Sequence, residues 1–163
     1  MGNIKLFVMD VDGTLTDGKL HISDSSELYK TFDVKDGYAL KNLLPEAGIV
    51  PVIITGRHSK IVELRAKDLD ITEVWQNISD KAGALVLLAG KYGLSLEKIA
   101  FIGDDLNDLP AMKLCGLSGC PADAVNEVKK VADYICKKDG GYGAVREFAE
   151  WIVKHSKERK PEC

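Results

Sequence analysis

The 163 residues predict an α/β protein built on a doubly wound parallel sheet, and three features carry that prediction. Short apolar or β-branched runs alternate with helical periods of about ten to fifteen residues, the pattern of parallel strands joined by crossover helices. The runs are apolar almost throughout, as strands covered on both faces must be. The residues just after the runs are rich in Asp, Thr and Gly, and these lie where open parallel sheets bind ligands, beyond the carboxyl ends of the strands.

Strands are predicted over 4–9, 50–54, 73–75, 99–102, 117–119 and, more weakly patterned, 134–135. Helices are predicted over 37–47, 60–69, 81–92, 108–114, 124–131 and 143–154. Val62, Ala66 and Leu69 form one apolar stripe at helical spacing, and Ala84, Leu85, Leu88 and Tyr92 form another. One stretch interrupts the alternation. Residues 18–33 place Leu20, Ile22, Leu28, Tyr29 and Phe32 around a polar turn at 23–27, which predicts a small β-hairpin flap after the first strand. The chain therefore reads as a single core domain over 1–155 carrying that flap, with a charged, frayed tail at 156–163.

Composition narrows the function. Hydrophobic residues at 45% and charged residues at 29% fit an ordinary globular domain and exclude disordered, collagenous and coiled-coil classes. A net charge of −3 offers no basic field for nucleic acid or an anionic membrane. Apolar runs such as 49–54 fall far short of the roughly 20 residues that span a bilayer, and the first ten residues lack a signal-peptide layout, so a cytoplasmic location is expected. Cys115, Cys120, Cys136 and Cys163 show neither zinc-site spacing nor disulfide density and are expected to be reduced packing residues.

The chemistry sits after the strands. Asp10-Val11-Asp12-Gly13-Thr14 follows the first, Thr55-Gly56-Arg57 the second, and Gly103-Asp104-Asp105-Leu106-Asn107-Asp108 the fourth, while Lys81 opens the helix after the third. Carboxylates gathered on one sheet edge repel unless a cation neutralises them, and an all-oxygen set without His or Cys suits Mg²⁺ rather than zinc. Mg²⁺ typically shares its sites with a phosphate. The Thr55 hydroxyl, the Gly56 amide and the Lys81 ammonium would then serve the remaining phosphoryl oxygens. Asp10 is the candidate nucleophile, since a carboxylate can form an acyl-phosphate, and Asp12 the candidate acid and base. Simpler roles exist beside these. Asp80 could be an ordinary cap next to a solvated Lys81, Asn107 could cap the following helix, and Asp105 and Asp108 could be either capping residues or supports for the metal ligands.

The set Asp10-x-Asp12-Gly13-Thr14, Thr55-Gly56, Lys81 and Gly103-Asp104-Asp105-x-Asn107-Asp108 resembles the four motifs of the haloacid dehalogenase superfamily, in their usual order. More narrowly, Asp12-Gly13-x-x-Thr16-Asp17-Gly18, Lys35-Asp36-Gly37, Ile54-Thr55-Gly56-Arg57 and Gly140-Gly141-x-Gly143-Ala144-x-Arg146-Glu147 resemble the 3-deoxy-D-manno-octulosonate 8-phosphate (KDO 8-phosphate) phosphatases. The resemblance runs from residue 4 to about 152. It implies a Rossmann-like core and hydrolysis of a 2-keto-3-deoxy sugar acid phosphate through an aspartyl-phosphate. It also implies Mg²⁺ held by Asp10, the Asp12 carbonyl and Asp104, and a homotetramer. Arg57, Arg65 and Arg146 are candidate substrate contacts. Related nonulosonate (sialic acid or KDN) 9-phosphate phosphatases are expected to carry an acidic residue after Thr-Gly, so Arg57 favours the octulosonate.

No cap domain fits, because Asp17 to Asp36 spans 19 positions and Arg57 to Lys81 spans 24, against about 50 for a small domain. Closure over the site is therefore expected from the flap and the 140–146 segment of neighbouring subunits. Two other classes compete. A receiver-type signalling domain would carry its phosphoacceptor Asp after the third strand, where Trp75-Gln76-Asn77 has none. A silent regulatory subunit would not need the full carboxylate set.

Overall fold

The computed structural model describes residues 3–157. The chain enters through β1 (Leu6–Met9) and leaves it into a small antiparallel hairpin of β2 (His21–Ile22) and β3 (Glu27–Tyr29). It then runs through α1 (Val34–Tyr38), a π turn (Ala39–Leu43) and α2 (Leu44–Glu46) to β4 (Val50–Ile54). From there follow α3 (Lys60–Asp68), β5 (Glu73–Trp75), α4 (Lys81–Tyr92) and β6 (Ile99–Ile102). The chain closes with α5 (Leu109–Leu114), β7 (Leu117–Cys120), α6 (Asn126–Lys129), β8 (Tyr134–Ile135) and α7 (Ala144–Lys157). No helix among the described residues is long and apolar enough to cross a membrane.

The six strands outside the hairpin pair in parallel, in the order β5-β4-β1-β6-β7-β8. The order reverses at β1, so the crevice between the ends of β1 and β6 is where this topology places a ligand. Side-chain alternation splits the core in two. Phe7, Met9, Ile53 and Ile102 pack with Val62 and Ala66 of α3 and Leu69 at its end, with Leu40 and Leu44, and with Phe148 and Ile152 of α7. Leu6, Val8, Ile54 and Phe101 pack on the other face with Leu85 and Leu88 of α4, Met112 of α5 and Val128 of α6. Every β1 residue is buried, as the continuous apolar run requires.

Several predicted bounds shift for local reasons. The helix expected at 37–47 starts at Val34, because Asp33 caps it by accepting the Lys35 amide at 2.7 Å. It passes through a π turn just before Pro45, which has no amide to donate. The helix expected at 124–131 shrinks to Asn126–Lys129, since the Val125 amide is drawn to the Asp104 carbonyl at 3.0 Å in an extended link. Tyr92, expected on an apolar stripe, is partly exposed and donates to Glu73 at 3.2 Å. The expected tail is helical at 156–157, and its residues 158–163, Cys163 with them, lie outside the described residues. Cys115, Cys120 and Cys136 are free thiols whose pKa values burial raises.

Candidate active site

The site forms where β1 and β6 end side by side. The Asp10 amide donates to the Ile102 carbonyl at 3.1 Å, extending the β1–β6 pairing just past the strands, and thereby sets Asp10 next to the 103–108 loop. The chain then turns sharply: the amides of Thr14, Leu15 and Thr16 all converge on the Val11 carbonyl. Gly13 makes the turn possible with φ +92, and any side chain there would overlap the Asp104 carboxylate. Opposite it, the Thr14 hydroxyl donates to Asp104 Oδ1 at 2.8 Å.

Carboxylate oxygens of Asp10, Asp104 and Asp108 lie within 4.8 Å of one another. One cation answers them. The Lys81 ammonium, with its side chain fully buried, contacts Asp10 Oδ1 at 2.9 Å and Asp108 Oδ1 at 2.6 Å. Asp80 caps α4 by accepting the Gly83 amide at 2.9 Å, so capping and the Lys81 contacts coexist at one helix start. Asp108 Oδ2 also accepts the amides of Asp104 and Asp105, at 3.0 and 3.2 Å. Asp108 is thus a support that holds Lys81 and shapes the loop, while Asp10 and Asp104 keep the charge that remains.

That charge is uncomfortable. Burial and the Asp108 carboxylate push Asp10 up to about 6, against the pull of Lys81. Burial, opposed by the Thr14 hydrogen bond and reinforced by Asp10, Asp108 and Asp105, pushes Asp104 up to about 7. Burial works against the Lys81 ammonium, yet Asp10 and Asp108 outweigh it and raise its pKa. Three carboxylates around one ammonium leave an excess of negative charge, and an all-oxygen set in this state fits a hard divalent cation such as Mg²⁺.

Asp12 turns away from the cluster. Its Oδ1 is paired with Lys30, and the Arg57 Nε lies 3.8 Å from its Oδ2. Lys30 also reaches Glu27 Oε1 at 2.8 Å, and Glu27 Oε2 accepts the Ser59 hydroxyl at 2.5 Å, so the hairpin is tied to both Asp12 and the start of α3. Thr55 is buried at the end of β4, its amide on the Trp75 carbonyl at 2.9 Å, with the exposed Gly56 beside it. Sequence patterning missed Lys30. It is a lysine just past the short strand β3, and no local signal marks a partner 18 residues away. Thr14 stood inside a motif without an assigned role.

Other candidates lie apart from the carboxylates. Arg65 pairs with Asp68 at 2.8 Å and lies over the Phe32 ring at 5.6 Å. Arg146 pairs with Glu150 at 2.7 Å and covers the Tyr38 ring at 5.1 Å. Asp105 and Asn107 are exposed; the Asp105 carboxylate accepts the Leu106 amide at 2.7 Å, and the residue preceding α5 is Asp108, not Asn107.

Comparison with known proteins agrees with this geometry. A family model described as haloacid dehalogenase-like hydrolase matches residues 54–148. The chain is 41% identical over 151 residues to the 3-deoxy-D-manno-octulosonate 8-phosphate phosphatase of Escherichia coli K12, covering 93% of this chain and 80% of that one. The Haemophilus influenzae phosphatase of the same name is 40% identical, with 93% and 84% covered. Among solved structures, the Moraxella catarrhalis phosphatase in complex with magnesium, phosphate and KDO superposes with TM-score 0.89 at 45% identity, covering 93% of this chain and 87% of that one. The cobalt-bound H. influenzae enzyme gives TM-score 0.91 at 39% identity, with 95% and 90% covered.

Proposed function

We propose, from the premise that this chain belongs to the haloacid dehalogenase-like hydrolases and, within them, to the 3-deoxy-D-manno-octulosonate 8-phosphate phosphatases, that it is a Mg²⁺-dependent phosphomonoesterase converting KDO 8-phosphate to KDO and phosphate. The observation that carries this is the carboxylate cluster at the ends of β1 and β6, whose excess negative charge surrounds one buried lysine. Asp10, Asp104 and the Asp12 carbonyl would hold the metal. When bound, it neutralises the carboxylates and the phosphoryl oxygens.

Asp10 attacks phosphorus, the ester P–O bond breaks, and the departing sugar oxygen takes a proton from Asp12. Asp12 then removes a proton from water, which attacks the aspartyl-phosphate; phosphate leaves and Asp10 is restored. The Thr55 hydroxyl, the Gly56 amide and the Lys81 ammonium bind phosphoryl oxygens, and Asp108 holds the loop that presents Asp104, with Asp105 and Asn107 at its exposed surface. Arg57, half-exposed at the mouth beside Asp12, reads the sugar-acid carboxylate by bidentate hydrogen bonding. Arg65 and Arg146 would reach substrate only by leaving Asp68 and Glu150.

The core, 1–155 with the flap at 18–33, works in the cytoplasm as a homotetramer in this reading. Support comes from the hairpin, which exposes Leu20, Ile22, Leu28 and Tyr29, whereas a two-stranded hairpin is marginal alone in water. A neighbouring subunit covering it would also close the site.

The test is phosphate release from a panel of sugar-acid phosphates, with EDTA and with Mg²⁺ restored. KDO 8-phosphate is expected to lead by at least about tenfold in kcat/KM, which is about 1.4 kcal/mol of transition-state discrimination. A nonulosonate 9-phosphate in the lead transfers the assignment to that relative, and hydrolysis that ignores EDTA removes the metal.

A further inference from the structure

The Lys35-Asp36-Gly37 motif and the glycines at 140, 141 and 143 take no part in the chemistry above, yet the structure joins them. Asp36, in α1, is 1% exposed. Its Oδ1 accepts the Arg146 amide at 2.8 Å, and that amide together with the nearby Gly143 amide works against the rise in its pKa. Gly143 precedes α7 and has no side chain with which to cap it, so an acceptor 110 positions away in sequence caps the helix in its place. The other oxygen, Oδ2, takes no hydrogen bond from any described residue, and Asp36 borders a small cavity of ≈ 10 Å³ lined by Val11, Leu15, Phe32 and Leu40 and also by Asp33 and Arg65. Burial pushes the Asp36 carboxyl up to about 6. A half-satisfied carboxylate in a buried setting is an expensive way to cap a helix.

What Asp36 holds lies against the site. The Gly141 amide donates to the Thr14 carbonyl at 3.1 Å. Gly140 sits so close to the Gly13 carbonyl that a side chain there would overlap it, and at Gly141, with φ +75, a Cβ would come within 2.6 Å of the Asp17 nitrogen. Backbone therefore packs directly on backbone along residues 13–17. Thr14 and Gly13 in turn confine the Asp104 carboxylate.

We propose that Asp36 is a positioning residue for the metal site: by capping α7 across the fold it clamps the 140–143 segment onto the Gly13–Asp17 turn, and so sets Asp104 and the Asp12 carbonyl at the spacing Mg²⁺ requires. This rests on the phosphatase function proposed above.

The experiment compares wild type, Asp36→Ala, Asp36→Asn and Gly141→Ala for kcat, KM, the Mg²⁺ concentration giving half-maximal rate, and the Mg²⁺-induced rise in Tm, which reads binding without turnover. In Asp36→Ala the Mg²⁺ half-saturation is expected to rise about tenfold, as for loss of a partner that orients metal ligands, with the Mg²⁺-induced Tm rise reduced and substrate KM at saturating Mg²⁺ little changed. Asn caps helices as well as Asp, so Asp36→Asn should return to within about twofold of wild type. Gly141→Ala, which strikes the same contact from its far side, should share the Mg²⁺ signature; should Asp36→Ala not fold, that variant and Asp36→Asn decide the matter. Unchanged Mg²⁺ dependence in Asp36→Ala or Gly141→Ala overturns the proposal, as does failure of Asp36→Asn to recover. A wild-type protein that hydrolyses no phosphomonoester while still showing these Mg²⁺-dependent Tm differences overturns the phosphatase assignment instead.

Discussion

Replacing Lys81 with Met removes the one cation among Asp10, Asp104 and Asp108 while keeping the length of the side chain. At separations of 2.9 and 2.6 Å and an effective dielectric of ~20, each ion pair is worth ~6 kcal/mol of attraction before desolvation is charged against it. Desolvation offsets much of this, and breaking a buried pair from one side costs about 3–5 kcal/mol in net terms. A second route gives a similar ceiling. The stranded carboxylate can escape by taking up a proton, and holding a group of ordinary pKa 3.8 protonated at pH 7 costs about 4 kcal/mol at 1.36 kcal/mol per unit. Urea unfolding of Lys81→Met in EDTA at pH 7.5 should therefore show a loss of about 3–5 kcal/mol with m unchanged. Because protonation is the escape, the loss should shrink clearly at pH 5, and Asp108→Asn added to Lys81→Met should recover part of it. A loss under about 1 kcal/mol at pH 7.5, the size of a surface pair, or one indifferent to pH, would refute the buried-triad account.

Other consequences are equally direct. Gly13→Ala should lower kcat/KM by about a hundredfold and weaken Mg²⁺ binding, since it combines a left-handed φ with overlap on Asp104; near-normal kinetics would show that the turn can relax. Asp10 and Asp104 have pKa values raised to about 6 and 7 without metal, so the folded protein binds more protons than the unfolded chain between pH 4 and 7. Their contribution to metal-free stability therefore falls as pH rises through that window, while Mg²⁺ affinity rises with pH and levels off above about 7.5; calorimetry that shows Mg²⁺ binding releasing no protons at pH 6.5 would contradict this. Lys30→Met should release the hairpin, seen as faster limited proteolysis within residues 18–30, with global Tm shifted by no more than a few degrees; unchanged cleavage would mean the hairpin is held by something other than that pair.

The strands, the helices and their order were legible because an α/β core writes itself locally. Continuous apolar runs mark buried strands, a period near 3.6 marks the helices, and polar residues at the end of a buried strand have few explanations other than a site. Asp10, Asp104, Thr55 and Lys81 were singled out in that way, by position relative to a strand or helix end, and the structure brings Asp10, Asp104 and Lys81 together. The hairpin too was visible as a break in the alternation, although Leu20, Ile22, Leu28 and Tyr29 are exposed and only Phe32 packs against the core.

Partnership was another matter. Asp12 was assigned beside Asp10 because both follow β1, but the turn at Gly13 sends its carboxylate to Lys30 on the flap. Asp108 was ambiguous between capping and support until the packing of α4 against α5 brought Lys81 to it across 27 positions. Thr14 meets Asp104 across 90 positions and Asp36 meets the Arg146 amide across 110, distances at which no periodicity reports a contact. By itself the sequence determined which residues stand at the strand ends and so which chemistry is available. Only the tertiary structure decided which charges share a lysine or a cap, because that depends on strand order and register, which long-range packing selects and local patterning does not encode.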